Sequence, residues 1–378
     1  MAREIGKRLD SLRIRRSGLD RLGRLNEDAR KEVLRKSLLD ESWQRRSAAQ
    51  PNTKYVLGAM AEVDPEYTRI SRETADRVAN QLLKDQNTLS LNVEFRLQGS
   101  VPLNIHIRGV SDVDLLNLDK DFHTYSISGL RSSLGMYRSP TSRTSTQVLM
   151  TLRLSVEKIL VNRFPAADVD TSGGKAVKIS GGSLARPVDV VASYWHDTDA
   201  YQISQVERDR GVTVLDKKVP ETVDNLPFLH MYRVEEKDSI AVGGLKKAIR
   251  LCKNIKNDAN DEGRNIECPS FDIAALMYHA DMNALRSGAL FKLSVLAETQ
   301  RFLDYLYHNP TYAKSLIVPD GSRRVLDTER KYEGVKALSF EIDALVKDVA
   351  KEQSEAFRKS PTATMEEARY ALANAVIV

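Results

Sequence analysis

The chain has 378 residues, 42% hydrophobic and 29% charged, a composition typical of a globular protein with a large buried core. Its apolar runs are shorter than the roughly 18 residues of a membrane-spanning helix, and its charged N-terminus lacks the apolar stretch of a secretory signal. We therefore expect a cytoplasmic protein without a membrane partner. The two cysteines, Cys252 and Cys268, lack a nearby Cys or His at zinc-ligand spacing, so no zinc site is expected.

The positive charge is concentrated at the start of the chain. The first fifty residues hold 14 Lys or Arg against 8 Asp or Glu, whereas the remainder is close to neutral. Such an arm could bind nucleic acid or a regulatory partner protein through electrostatics. Leucines at near-helical spacing favour another interpretation, in which the arginines form the solvated face of packed helices. The basic residues concerned are Arg13, Arg15, Arg16, Arg21, Arg24, Arg30, Lys31, Arg35 and Lys36.

The next part of the chain alternates between helical and strand patterns. Pro65 predicts the start of a long amphipathic helix, because apolar residues recur at helical spacing after it. Apolar and polar residues then alternate, which predicts a strand that runs into Gly99 and Ser100. Four further elements follow in the same way: a strand over 113–118, a helix over 146–163, and short strands over 176–179 and 187–193.

The last third of the chain is mostly helical. Apolar stripes predict helices over 244–257, 270–286, 288–307 and 333–359. Mixed elements followed by helices predict an α/β (α+β) protein of two lobes with a cleft between them. We place a basic helical arm at 1–50, a sheet-based core at 51–235 and a helical lobe at 236–378.

The most informative stretch is a turn followed by two aspartates. Gln98-Gly99-Ser100 ends a predicted strand, and after eleven further residues comes Asp112-Val113-Asp114. A glycine-serine turn can present backbone N–H groups and a hydroxyl to triphosphate oxygens, because glycine allows close approach. Alternate residues of a strand point to the same side, so both aspartates can hold a divalent cation.

A third aspartate lies in a later apolar strand. Asp189 is flanked by valines, and burying its charge is costly unless a partner such as a metal ion is present. Nucleotidyl transfer uses two metal ions, one to activate the attacking hydroxyl and one to neutralise the triphosphate. An Asp-x-Asp pair alone is often a solvated strand edge. The combination predicts that Asp112, Asp114 and Asp189 are catalytic and hold two Mg²⁺ or Mn²⁺ ions.

These motifs resemble the signature of the DNA polymerase β-like nucleotidyltransferase superfamily. Residues 245–253 and 269–273 are similar to the helical lobe of oligoadenylate synthetases and cyclic GMP–AMP synthase-like enzymes. The likeness extends to the bacterial CD-NTases of cyclic-oligonucleotide anti-phage signalling (CBASS), over about residues 50 to 350. It implies a polymerase β-like mixed sheet with an oligoadenylate synthetase-like helical lobe.

The resemblance also implies residues for the nucleotide. Gln98, Gly99 and Ser100 are expected to bind the nucleotide. In addition, the resemblance implies that Lys253 and Ser270 contact the donor triphosphate and that the aromatic ring of Phe271 stacks on a base. Other roles fit these residues equally well. Lys253 fits a solvated helix face, Ser270 fits a helix N-cap, and Phe271 fits core packing. No role is assigned to His106, because an isolated histidine is more often structural and metal-activated transfer needs none.

The implied activity is the joining of NTPs, ATP among them, into a cyclic di- or trinucleotide second messenger in antiviral defence. Two alternatives remain open from the residues alone. One is a terminal nucleotidyltransferase that extends an RNA 3′ end or modifies a protein hydroxyl, with the basic arm holding RNA. The other is a catalytically inert RNA-binding relative of the same fold.

Overall fold

The computed structural model describes residues 4–17, 27, 30–31, 41, 43–44, 49–107, 111–137 and 141–377. Helices in its first half are α1 Ile5–Ser17, α2 Pro51–Met60, α3 Pro65–Thr88, α4 Leu130–Ser133, α5 Ser145–Arg163 and α6 Asp199–Ser204. The strands are β1 Val93–Gln98, β2 Val113–Tyr125, β3 Asp168–Asp170, β4 Val177–Ser180, β5 Val188–Asp197, β6 Gly211–Asp216 and β7 Glu221–Asn225.

Helix α3 forms where Pro65 predicts it. Asp64 is its N-cap, and the Asp64 side chain accepts a hydrogen bond from Glu66 N at 2.8 Å, which satisfies a free backbone donor of the first turn. Its apolar stripe includes the buried residues Val78 and Leu82. These residues share one core cluster with residues of α5 and of the sheet, so α3 and α5 pack on the sheet.

The described residues form a seven-stranded mixed sheet in the order β1-β2-β5-β4-β3, with β6 pairing to β5 and β7 to β6. Strands β2 and β5 are parallel, whereas the other pairs are antiparallel. Because β2 and β5 run the same way, their first residues lie at the same edge of the sheet. Both strands are longer than predicted, ending at Tyr125 and Asp197.

The second half of the chain is helical, as predicted. Its helices are α7 Pro227–Ile240, α8 Gly244–Asp261, α9 Ser270–Met277, α10 Met282–Arg286, α11 Ser294–His308, α12 Pro310–Ser315, α13 Glu329–Gln353, α14 Glu355–Lys359 and α15 Met365–Ala373. The single helices predicted over 270–286 and 333–359 are each divided. Asp281 and Ser354 cause the divisions, since each caps a new helix by accepting a backbone N–H three residues later.

Helices α1 and α2 pack with the helical lobe. Leu12 of α1 and Tyr55 of α2 are fully buried in the same core cluster as Leu245 and Ile249 of α8. The cluster is separate from the one beneath the sheet. The division of the chain at residues 50 and 235 stays a prediction, and in the described part the packing links α1 to the helical lobe.

The predicted solvated face of the arm is wrong for Arg15 and Arg16, which are buried. Arg15 pairs with Asp258 of α8, and Arg16 donates to Glu62 O at 2.6 Å. A guanidinium can be buried only with such partners. Arg13, Arg30 and Lys31 are exposed as expected, and Arg21, Arg24, Arg35 and Lys36 lie outside the described residues.

A membrane-spanning helix is not found: each described helix is too short or too polar to cross a bilayer. The two cysteines are buried free thiols.

Candidate active site at the first residues of two parallel strands

The strand register brings the predicted residues into one line across the sheet. Asp114 on β2 is paired with Asp189 on β5, and on the other side of β2 Gln98 is paired with Asp114. On β4, Lys178 is paired with Asp189. Directly paired residues point to the same face of a sheet. The order across this edge is therefore Gln98, Asp114, Asp189, Lys178.

Asp112 lies just before β2 and two residues from Asp114, so strand periodicity places both on the same side. We call Asp112, Asp114 and Asp189 the aspartate cluster. The sequence predicted that these residues lie together, and the register of the parallel strands is consistent with this.

The turn after β1 lies directly against this cluster. Gly99 has a φ of 79°, in the left-handed region that favours glycine. A Cβ atom at Gly99 would overlap the carboxylate of Asp114. The backbone carbonyl oxygen of Ser100 accepts a hydrogen bond from Ile105 N at 3.1 Å, which closes a loop over residues 100–105. The backbone angle therefore favours glycine here, and a larger residue would also have to displace the Asp114 carboxylate.

Negative charge in the aspartate cluster is poorly compensated. Burial raises the pKa of Asp114 to about 7, with further contributions from the charges of Asp189 and Asp112. Burial also raises the pKa of Asp189 to about 6, and Asp112 adds to the effect. Among the described residues, the buried atom Asp189 Oδ1 has no hydrogen-bond partner. A buried carboxylate of this kind needs a proton or a cation as its partner.

The donor set suits a hard divalent cation. Carboxylate oxygens are the ligands that Mg²⁺ and Mn²⁺ prefer, and the partnerless Asp189 Oδ1 provides one of them. The described side chains do not surround a ready-made metal position with three or more His, Cys, Asp or Glu residues. Asp112 instead forms an ion pair with Lys178. The residues fit a metal ion chemically, and Asp112 has another cation as its partner.

Helix α8 brings a buried lysine beside the cluster. Lys253 is 4% exposed and its Nζ donates to Ile105 O at 2.8 Å. Burial lowers the pKa of Lys253 to about 7, and the negative charge of Asp114 opposes this shift. The interpretation of Lys253 as part of a solvated helix face is therefore wrong. Its contact with a triphosphate stays a prediction.

Arg250, one turn earlier on α8, supports the same loop. Its guanidinium donates to Asn104 O at 2.7 Å and to Met60 O at 2.8 Å. Burial lowers the pKa of Arg250 to about 10. Together with Lys253, this residue attaches the helical lobe to the loop that follows the glycine-serine turn.

Ser270 and Phe271 lie at the start of α9 and are both exposed. Pro269 is the N-cap of this helix and no side chain caps it, so the interpretation of Ser270 as a cap is wrong. Phe271 is 41% exposed, which also makes core packing the wrong interpretation. The Phe271 ring stacks on His230, with centroids 4.3 Å apart. The His230 ring therefore covers part of the Phe271 ring, and the rest of the Phe271 ring faces solvent.

His106 is buried and lies 3.3 Å from Thr68 Oγ1 through its Nε2 atom. Burial lowers its pKa to about 3, helped by the charges of Lys253 and Arg250. A histidine that stays neutral inside the protein agrees with a structural role.

Sequence reasoning missed Lys178, Arg250 and His230. Alternation of buried Val177 and Ile179 around Lys178 indicates only that this lysine points away from the core. No local pattern shows that it faces a carboxylate 66 positions earlier.

The chain is similar to known proteins of one enzyme family. The family model described as "cGAS/DncV-like nucleotidyltransferase C-terminal helical domain" matches residues 233–350. The chain is 44% identical over 314 residues to the cyclic dinucleotide synthase CdnE of Yersinia aleksiciae, covering 83% of this chain and 81% of that protein. It is 31% identical over 311 residues to a c-di-GMP synthase of Capnocytophaga granulosa, covering 76% and 85%.

A solved structure is similar over nearly the whole fold. The STING-associated CdnE c-di-GMP synthase from Capnocytophaga granulosa superposes with a TM-score of 0.69 at 27% identity, covering 93% of this chain and all of that one.

Proposed function

We propose that this chain, which belongs to the cGAS/DncV-like nucleotidyltransferase (CD-NTase) family, joins two molecules of GTP into a cyclic dinucleotide at its aspartate cluster. The chain is a nucleotidyltransferase that makes a cyclic oligonucleotide second messenger from NTPs in anti-phage signalling. The pairing of Asp114 with Asp189 beside the glycine turn is the observation that carries the site assignment. GTP is proposed because several relatives are c-di-GMP synthases.

Nucleotidyl transfer in this family is generally metal-dependent. We assign Asp112 and Asp114 as ligands of two Mg²⁺ or Mn²⁺ ions, and Asp189 as a ligand of the catalytic ion. When bound, such ions lower the pKa of the attacking hydroxyl and neutralise the triphosphate. The buried, partnerless Asp189 Oδ1 and the raised pKa of Asp114 support this assignment.

The donor nucleotide is assigned to the turn and the helical lobe. Gln98, Gly99 and Ser100 lie beside Asp114, where backbone N–H groups and the serine hydroxyl can bind phosphate oxygens. Lys253 brings a positive charge that interacts with Asp114. Ser270 and Phe271 begin α9, and the exposed Phe271 ring offers a surface for a base.

The reaction joins the hydroxyl of one nucleotide to the α-phosphorus of the other. The hydroxyl oxygen forms the new P–O bond, the bond to the β-phosphate bridging oxygen breaks, and pyrophosphate leaves. Asp189 orients the attacking hydroxyl and draws its proton away, since it lies on the strand beside Asp114 and away from the glycine turn. A second transfer within the linear intermediate closes the ring and releases a second pyrophosphate.

The product is tested by incubating the protein with each NTP alone and with all pairs, with Mg²⁺ or Mn²⁺. Phosphatase-resistant products are then identified by mass spectrometry. GTP alone should give a cyclic di-GMP mass, and the Asp112→Asn and Asp114→Asn variants should give none. A requirement for a second base would refute the GTP product but keep the site. Extension of RNA without any cyclic product would favour the terminal-transferase alternative.

A further inference from the structure

Lys178 is a cation inside the active site with no role in the assignments above. It extends from β4, where it is paired with Asp189, and its Nζ forms an ion pair with Asp112 Oδ2. Its charge also acts on Asp114 and Asp189. Lys178 therefore interacts with all three members of the aspartate cluster.

The ammonium group and a metal ion compete for the same carboxylate. Asp112 is 18% exposed at its side chain, so water screens its ion pair only in part. A divalent cation at the cluster would meet a positive charge already in contact with one of its ligands, and like charges at such distances repel.

Lys178 can leave Asp112 without unfolding the strand. Its side chain is 46% exposed, and the four-carbon stem of lysine is flexible. Exposed Asp170 lies beside it on β3, where the two residues are paired, and the phosphate groups of a nucleotide at this edge would supply a further anionic partner. Its strand β4 lies on the far side of β5 from β2 and the glycine turn, so the lysine reaches Asp112 from the side of the sheet opposite that turn.

We propose that Lys178 is an internal counter-ion that holds Asp112 in the metal-free enzyme and transfers to a phosphate of the acceptor nucleotide when metal binds. The proposal rests on the proposed function of the aspartate cluster. It predicts that metal alone binds weakly and that metal and nucleotide bind cooperatively, since the phosphate compensates the displaced lysine.

The test measures Mn²⁺ affinity by electron paramagnetic resonance, first without nucleotide and then with a non-hydrolysable GTP analogue. Lys178→Met should bind Mn²⁺ alone about fivefold more tightly than the wild type, because one competing charge is removed. Lys178→Arg, which keeps the charge, should bind as weakly as the wild type. Lys175→Met is the matched control, an exposed lysine three residues earlier, and should change nothing.

The GTP analogue should reduce the difference in Mn²⁺ affinity between Lys178→Met and the wild type, because only the wild type gains a contact between Lys178 and a phosphate. If Lys178→Met binds Mn²⁺ alone no more tightly than the wild type, the inference is wrong. If the analogue leaves this difference in Mn²⁺ affinity unchanged, the proposed transfer of Lys178 to a phosphate is wrong. If no protein binds Mn²⁺ in either condition, the proposed function itself fails, whatever the behaviour of Lys178.

Discussion

Gly99 and Asp114 lie so close together that a side chain at Gly99 would overlap the Asp114 carboxylate. The contact joins the turn that we assign to phosphate with the first strand of the aspartate cluster. Because of this contact, even a methyl group at position 99 would displace the Asp114 carboxylate.

Gly99→Ala should therefore lower kcat by about 100-fold while the fold persists, because the displaced carboxylate no longer holds its position. Gly243→Ala is a matched control: Gly243 has the same φ of 79° but no atom near its Cβ position. It bears only the backbone strain. Equal activity loss in both variants would show that backbone angle, not the Asp114 contact, matters.

Asp114→Asn should stabilise the metal-free protein while abolishing product formation. The substitution removes a buried charge that is repelled by Asp189 and Asp112. Thermal unfolding in EDTA at pH 8 should show an increase of a few degrees, on the order of 1 kcal/mol. Asp168→Asn, at an exposed aspartate of β3, should leave the unfolding temperature unchanged. A decrease for Asp114→Asn would mean that Lys253 and Lys178 already compensate its charge.

Phe271→Ala should raise the KM for the nucleotide about tenfold with a smaller change in kcat, because base stacking on an aromatic ring is lost. Phe271→Trp should retain most of the affinity. The control is Phe340→Ala, an exposed phenylalanine of α13. A KM unchanged in Phe271→Ala would remove this residue from the binding site.

Arg15→Met should destabilise the fold by about 3 kcal/mol, because it leaves the buried carboxylate of Asp258 without its guanidinium partner. Arg13→Met lies on the same helix, but the ion pair of Arg13 with Asp10 is exposed. Its effect should stay below about 0.5 kcal/mol. Chemical denaturation of both variants measures the contrast, and equal effects would contradict a structural role for Arg15.

Acid should destabilise the protein through two buried histidines. Burial lowers the pKa of His106 to about 3 and of His230 to about 4, so the unfolded chain binds more protons below pH 6.5. Their contribution is complete above pH 6.5 and is lost as the pH falls towards 4. Each histidine should lower the free energy of unfolding by about 2 kcal/mol between pH 7 and pH 5.

The His230→Gln variant should lose one histidine's share of that pH dependence, measured by denaturation at several pH values. His308→Gln, at an exposed position, should keep the full dependence of the free energy of unfolding on pH. An unchanged slope in His230→Gln would mean that His230 is protonated in the folded protein.

Local patterns were sufficient for much of the fold. The start of α3 at Pro65, the strand before Gly99 and the helical second half follow from periodicity and capping, which act within a few residues. The aspartate cluster was also visible, because Asp112 and Asp114 lie in one short motif and Asp189 is an isolated charge in an apolar strand. The division of helices at Asp281 and Ser354 was missed, since a capping side chain competes with an apolar stripe that continues past it.

The sequence by itself determined the chemistry of the site, which combines carboxylates with a glycine turn. The spacing of Asp112 and Asp114 could be interpreted because alternate residues of a strand point to the same side. Only the tertiary structure decided which distant groups surround them. The register of β2, β4 and β5 sets Lys178 beside the aspartate cluster, and the packing of α8 buries Lys253 under Ile105. Burial and charge pairing depend on residues far apart in the chain, so no local pattern specifies them.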